Sequence, residues 1–324
     1  MLLLNNRLSV RADYFDSTTK DLLVRKQLRE EYGLQNYWTN DGSMRNRGFE
    51  VCVGGRIVET KDWQLNANVT MGQYKNEVER LTDGNFITNV MGANMLTAEG
   101  NPLGVFYGYK SEGVFTDMED ASKANLSVVD NTGRNLRFGA GDMHFADIKV
   151  DGIIDEHDMT IIGDPNPDIY GAFGFNVNWK RLSLDAIFTY SLGNDAFNAM
   201  RQQMENGSSL NNQSEAMLRR WTGDGQATDI PRATYGDPMG NSRFSDRWIE
   251  DASYLKLKQV SLSYSLPVKP RFIQGVQVWA SVTNVFTMGT DPEFFYGSQA
   301  LCQGIDTGLM PQTRTYNLGI KLNL

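Results

Sequence analysis

Along eight stretches of this chain hydrophobic and polar residues alternate with a period of two, and within each stretch the apolar residues keep to one parity. Leu8, Val10, Ala12 and Tyr14 alternate with Arg7, Ser9, Arg11 and Asp13, and Phe49, Val51 and Val53 with Glu50 and Cys52. Trp63, Leu65, Ala67, Val69 and Met71 oppose Gln64, Asn66, Asn68 and Thr70. Phe173, Phe175, Val177 and Trp179 oppose Gly174, Asn176, Asn178 and Lys180, and Leu182, Leu184, Ala186, Phe188, Tyr190 and Leu192 then oppose Ser183, Asp185 and Thr189. Val260 to Leu266, Val276 to Val282 and Tyr316 to Leu324 complete the set. Alternate side chains point to opposite faces of a strand, so each stretch predicts a strand with one apolar and one polar face.

The connections alternate between short and long. Short turns are expected at Glu59 to Asp62, at Lys180 and Arg181, and at Pro267 to Gly275; long polar connections run from about Lys26 to Met44, Arg80 to Asp168, Gly193 to Glu250 and Thr287 to Pro311. Long loops gathered at one end, short turns at the other and a closing strand with an apolar face fit a transmembrane β-barrel. In a soluble domain such an edge templates aggregation. Trp63, Trp179, Tyr190, Trp248, Tyr254 and Phe286 are candidates for the aromatic girdles of a barrel. The principal alternative is a soluble or surface-attached β-sandwich that binds carbohydrate through loop aromatics. A sandwich tolerates charge on its exterior, whereas a barrel needs an uncharged outer band. The apolar parity here carries almost no charge, which favours the barrel.

Composition agrees. The 324 residues include 31 Gly and carry a net charge of -8, and the mean hydropathy is -0.42, as expected where only alternate residues meet lipid. An acidic chain without a basic patch argues against nucleic acid as a partner. No apolar run approaches the length of a membrane helix, and Met1-Leu-Leu-Leu-Asn5 is too short for a signal-peptide core, so no export signal is expected in this chain. Cys52 and Cys302 stand far apart without a metal-binding pattern and read as unpaired thiols. His144 and His157 are the only histidines, no nucleophile elbow accompanies them, and Gly54-Gly55 fails the phosphate-loop pattern, so no enzyme is expected.

Several segments resemble, in order, the C-terminal part of SusC-like (SusC/RagA-type) TonB-dependent outer-membrane transporters. They are Arg11 to Leu23, Gly42 to Glu50, the run Pro102-Leu-Gly-Val-Phe-Tyr-Gly-Tyr-Lys-Ser-Glu-Gly-Val-Phe115, Asp147 to Pro167, Tyr254 to Pro267, Val282 to Phe286 and Pro311 to Tyr316. The ending also resembles the signal read by the barrel-insertion machinery. The resemblance implies an all-β fold, about eight antiparallel strands from the C-terminal portion of a large transmembrane β-barrel with long external loops. It places a large external loop region at residues 80–168 and locates the protein in the outer membrane of a Gram-negative bacterium, against outer-membrane lipid. It implies import of glycan or peptide fragments with a SusD-like lipoprotein, and energy from TonB. The family's signal peptide, TonB box and plug domain are expected to be absent here, which makes the chain a truncated or split piece that contacts TonB only through the missing N-terminal part.

Within that region, Asp147-Ile-Lys-Val-Asp-Gly-Ile-Ile-Asp-Glu-His-Asp158 has calcium-loop spacing. Asp147, Asp151, Asp155 and Asp158 fall at positions 1, 5, 9 and 12, Gly152 at position 6, and the Ile153 carbonyl at position 7 is a further oxygen ligand. Asp at position 12 resembles dockerin-type loops. Lys149 departs from the pattern: it puts an ammonium at position 3, where a ligand oxygen belongs. Calcium is thus the one cofactor the sequence suggests. Loop residues Phe106, Tyr107, Tyr109, Trp221, Phe294, Phe295 and Tyr296 are candidates to stack on a sugar or peptide or to dock a partner, and Met200 to Trp221 reads as a helical stretch.

Overall fold

In the structure, a computed structural model, each alternating stretch is a strand of one antiparallel sheet. It describes residues 2–3, 7–28, 31, 33, 36–82, 84–267, 275–289, 304–308 and 311–323. The strands are β1 (Leu8–Lys20), β2 (Ser43–Glu59), β3 (Trp63–Arg80), β4 (Ile169–Trp179), β5 (Leu182–Leu192), β6 (Tyr254–Leu266), β7 (Gly275–Gly289) and β8 (Thr315–Asn323). They lie side by side in chain order, and a two-residue strand at Leu2–Leu3 extends the β1 edge.

The register turns the alternation into two continuous faces. Leu65, Val177, Leu184, Leu262, Ala280 and Leu318 form one row across β3 to β8. Directly beside it on the other face runs Asn66, Asn176, Asp185, Ser261, Ser281 and Asn317. The pairing slips by one residue at Lys258, so that Leu257 faces Phe188 and Val260 faces Ala186 on the same apolar side. This bulge explains why the parity read from Val260 onward does not extend back to Leu255. No residue of β1 to β8 enters a buried hydrophobic cluster among the described residues. The apolar face is instead open: Leu318 is 86% exposed, Ile320 68% and Val69 47%. A sandwich would cover this face with a second sheet, so the sandwich alternative is set aside. No helix among the described residues is long and apolar enough to cross a membrane, which says nothing of crossing by strands.

At the short-turn end Trp63 and Trp179 stack with centroids 5.7 Å apart, and the Lys180 ammonium lies over the Trp179 ring. Tyr190 and Phe286 lie on the apolar face towards the other end. Two girdle expectations are corrected. Tyr254 pairs with Ser191 on the polar face, and Trp248 has no exposed surface because it sits in a protein core.

That core belongs to a platform built from the long connections. The connection between β3 and β4 folds into a four-stranded sheet of Met159–Gly163, Val105–Tyr109, Ala93–Thr97 and Phe86–Val90, two small two-stranded sheets and helix α1 (Met118–Ala124). Asp117 caps α1 by accepting the Asp120 N–H, and Asn125 ends it in the left-handed conformation. The connection after β5 adds Asp195–Asn198, helix α2 (Ala199–Glu205) and Ile249–Asp251, and Ile305–Asp306 joins their sheet in parallel. The helical stretch expected from Met200 to Trp221 is shorter: α2 stops at Glu205, and only a 3-10 turn at Glu215–Arg219 resumes it. One cluster centres on Phe115, Phe138, Met143 and Phe145, a second on Phe106, Phe197, Phe244 and Trp248, and Ala196 with Ala252 makes a small third.

Candidate functional site

Two places on this frame gather chemically distinctive side chains: the platform and the polar face of the sheet beneath it. In the platform, Asp142 is fully buried and receives both arms of Arg232 at 2.8 and 2.9 Å, the Asn241 amide at 2.9 Å and the Gly139 N–H at 2.9 Å. Asn241 in turn accepts the Met143 N–H. This network ties the connection after β3 to the one after β5. A buried carboxylate is tolerated because a bidentate guanidinium and two further donors satisfy it. A second network joins Glu250, which accepts from Asn198 and from Arg201 at 3.0 Å, with Glu205, which meets Arg201 and Arg247. Burial pushes the Arg247 guanidinium down to about 10, with Glu205 opposing. Sequence reading missed both networks: the side-chain partners of Asp142 stand 90 and 99 positions away and those of Glu250 49 and 52, and only Arg201 and Glu205 share a helical spacing.

The aromatic candidates separate. Phe106 is fully enclosed, with Phe244 edge-on at 6.3 Å, and is a core residue that no ligand can reach. Trp221 packs against the Phe115 cluster and donates its indole N–H to the Thr116 carbonyl at 3.0 Å. Gly141, at φ 80°, lies so close under that indole that a Cβ would run into it. Tyr109 lies under the Arg243 guanidinium at 4.8 Å and beside Phe145, and burial pushes its hydroxyl pKa up. Tyr107 pairs with Ile161 and stays half-buried. The structure brings Phe106, Tyr107 and Tyr109 onto one strand, with Trp221 against the neighbouring cluster. Phe294, Phe295 and Tyr296 lie outside the described residues.

The segment Asp147 to Asp158 satisfies its acids with its own donors. Asp147 accepts the N–H groups of Asp151 and Gly152, at 3.2 and 2.7 Å. Asp158, fully buried, accepts those of Lys149 and Asp155, at 3.0 and 2.9 Å. Asp155 caps the following 3-10 turn and meets the His157 ring nitrogen at 2.9 Å. Asp151 accepts the Ile153 N–H at 3.0 Å and pairs with the Lys149 ammonium at 3.1 Å, and these two partners hold its carboxyl below the usual range. Among the described residues no group of three or more His, Cys, Asp or Glu side chains converges as a metal site.

On the polar face, towards the platform, a concavity of about 610 Å³ is lined by Arg11, Asp13, Glu50, Thr70, Tyr170 and Tyr254 among others. Arg11 and Asp13 pair at 2.7 Å, and the Tyr170 hydroxyl donates to Glu50 at 3.2 Å. Nearer the short turns a second concavity, of about 420 Å³, is lined by Ser9, Arg56, Asn66, Asn68, Asn176 and Asp185. There the amides form a ladder, with Asn178 donating to Asn176 at 2.6 Å and Asn176 to Asp185 at 2.7 Å. Such a surface offers hydrogen bonds and both signs of charge to a polar solute.

No protein-family model matches the chain. The TonB-dependent receptor P3 of Formosa agariphila is 29% identical over 340 residues, covering 99% of this chain and 33% of its own length. The TonB-dependent receptor SusC of Bacteroides thetaiotaomicron is 26% identical, covering 98% of this chain and 30% of its own length. Among solved structures, the RagAB peptide transporter superposes with a TM-score of 0.79 at 26% identity, over 98% of this chain and 33% of that one. The RagAB peptide importer in its closed-closed state gives 0.77 at 27% identity, over 98% of this chain and 34% of that one. The chain therefore spans about a third of the length of the curated relatives it matches.

Proposed function

We propose that this chain, homologous over nearly its whole length to the C-terminal part of SusC/RagA-type TonB-dependent receptors, forms wall and external platform of an outer-membrane nutrient importer in a Gram-negative bacterium. The observation that carries the reading is the inverted sheet: an uninterrupted apolar row from Leu65 to Leu318 left open, backed by the polar row from Asn66 to Asn317. That arrangement suits lipid outside and a hydrated solute path inside.

On this reading outer-membrane lipid covers the apolar face. The short turns lie on the periplasmic side, and the platform stands outside the cell, where a SusD-like lipoprotein closes over it. The imported solute is a glycan or peptide fragment, and the ion-paired concavity below the platform lies on its path. TonB energy enters through parts of the receptor beyond the third that this chain matches. Similarity to a structure called a peptide transporter and to a receptor called SusC supports import without choosing between the two solute classes.

Deleting the gene and following uptake of labelled peptides and labelled glycans by whole cells tests the proposal. Loss of uptake for one class, restored by the complete gene, is the expected result. Unchanged uptake of both classes, or recovery of the protein in the soluble fraction, overturns it.

A further inference from the structure

The calcium-like loop differs from its pattern at one position, and the structure supplies a physical reading of that difference. In a loop of this spacing a divalent cation neutralises acids gathered at positions 1, 5, 9 and 12, with position 3 adding a ligand oxygen. Here position 3 is Lys149, and its ammonium lies 3.1 Å from the position-5 carboxylate of Asp151. The remaining acids are taken up by the loop's own donors: Asp147 by two backbone N–H groups, Asp158 by two, and Asp155 by the His157 N–H and ring nitrogen. Metal-ligating oxygens must converge, and these carboxylates do not gather into a metal site.

The turn is also anchored from outside. The Ser127 N–H donates to Gly152 at 2.9 Å, the Ile154 N–H donates to Ser127 at 2.8 Å, and Ile154 is buried in the Phe115 cluster. The loop thus has backbone partners, a hydrophobic anchor and a half-exposed ammonium paired with one of its acids, and the residues present do not fit calcium.

We propose that the Lys149 ammonium, through its pair with Asp151, supplies the 147–158 loop with the positive charge that the loop pattern assigns to a divalent metal, so that this corner of the platform is ordered without calcium. An ammonium meets an acid through a few directional donors and carries half the charge of the metal. Backbone N–H groups therefore make up the remaining coordination. The loop consequently does not respond to the calcium concentration around it.

The complete protein in detergent micelles tests this, with calcium chloride or a chelator as the only addition. Proteolysis between Asp147 and Asp158 is timed with a protease that does not require lysine, entering at Val150, which is 83% exposed. The wild-type loop is cut at the same rate with the chelator and with calcium at ~1 mM, a concentration that fills extracellular calcium modules. Lys149→Met, which keeps the stem and removes the charge, is cut about threefold faster, and calcium does not restore it. Lys149→Asn is cut faster in the chelator and returns to the wild-type rate in calcium. The outer-membrane heat shift of each variant establishes that the barrel is folded. Calcium protection of the wild-type loop overturns the proposal, and this arm needs no variant to fold. A Lys149→Met loop cut at the wild-type rate, or a Lys149→Asn loop indifferent to calcium, overturns it as well.

Discussion

In the sheet Leu318 and Ile320 are 86% and 68% exposed, whereas in the platform Trp248, Phe106 and Phe145 have no exposed surface. The same residue classes are thus treated in opposite ways within one chain. Platform residues exclude water by packing on each other, Phe197 against Phe244 at 5.0 Å and Phe138 against Phe145 at 6.5 Å. Sheet residues present a smooth apolar row outwards and hold their strands by ladder hydrogen bonds and inner-face amides. The hydrophobic effect that stabilises the platform in water makes the bare sheet insoluble. The two regions therefore require different solvents, and that difference separates a membrane wall from the domain standing on it.

The most direct way to break the comparison is to attack the platform alone. Trp248→Ala removes a fully buried indole whose N–H donates to the Arg243 carbonyl at 3.1 Å. A cavity of that size costs about 3–5 kcal/mol. Hydrogen exchange is expected to rise through residues 193–253 while the β3, β4 and β5 ladder keeps its protection. Equal loss in both regions refutes separate cohesion.

The complementary test attacks one face of the wall. Val69 and Asn68 are neighbours on β3 with side chains on opposite faces. Val69→Arg puts a charge into the lipid face and is expected to lower stability by about 2–4 kcal/mol in refolding into vesicles, while Asn68→Arg is expected to change it little. Similar costs at both positions remove the basis for assigning an inside and an outside. A smaller effect is expected from Gly319→Ala in β8. Its Cβ would run into the Trp279 indole that covers the strand on the polar face, and overpacking of this kind costs about 1–3 kcal/mol. The change appears as a lowered unfolding midpoint, and an unchanged midpoint means that Trp279 can move aside.

The same contrast governs what could be read from the sequence. Wall strands declare themselves because each side chain's environment depends only on parity, so Trp63 to Met71 and Tyr316 to Leu322 are legible without any partner. The reading stops where parity ceases to hold, as at Lys258, where a bulge returns Leu257 and Val260 to one face. It failed in the platform. In sequence Phe106 looks like an exposed loop aromatic and Trp248 like part of an aromatic girdle, yet they are drawn into one core by segments arriving from three separate connections. Long-range closure of that kind leaves no period. The Asp147 to Asp158 loop lies between these extremes. Its spacing of acids around Gly152 was legible, whereas the destination of each carboxylate depends on which donors fold back onto it.

The smallest effect sharpens the comparison at the junction of the two regions. Asp195, where the chain leaves the wall for α2, accepts the Asp164 N–H at 2.8 Å. Burial, reinforced by the charges of Asp251, Asp164 and Asp168, nevertheless pushes its carboxyl pKa up. A carboxyl with a raised pKa in the folded state binds its proton more tightly there than in the unfolded chain. Its stabilising contribution is therefore present in acid and is lost as pH rises through the folded pKa. Asp195→Asn keeps an oxygen for the Asp164 N–H and removes the charge. Melting of the complete protein from about pH 4 to pH 7 is expected to show the variant level with wild type in acid and ahead at neutrality, by about 0.5 kcal/mol for partly screened charges. A variant less stable than wild type at pH 7 means that the carboxylate's hydrogen bond outweighs the repulsion, and that the junction is held by its charge rather than in spite of it.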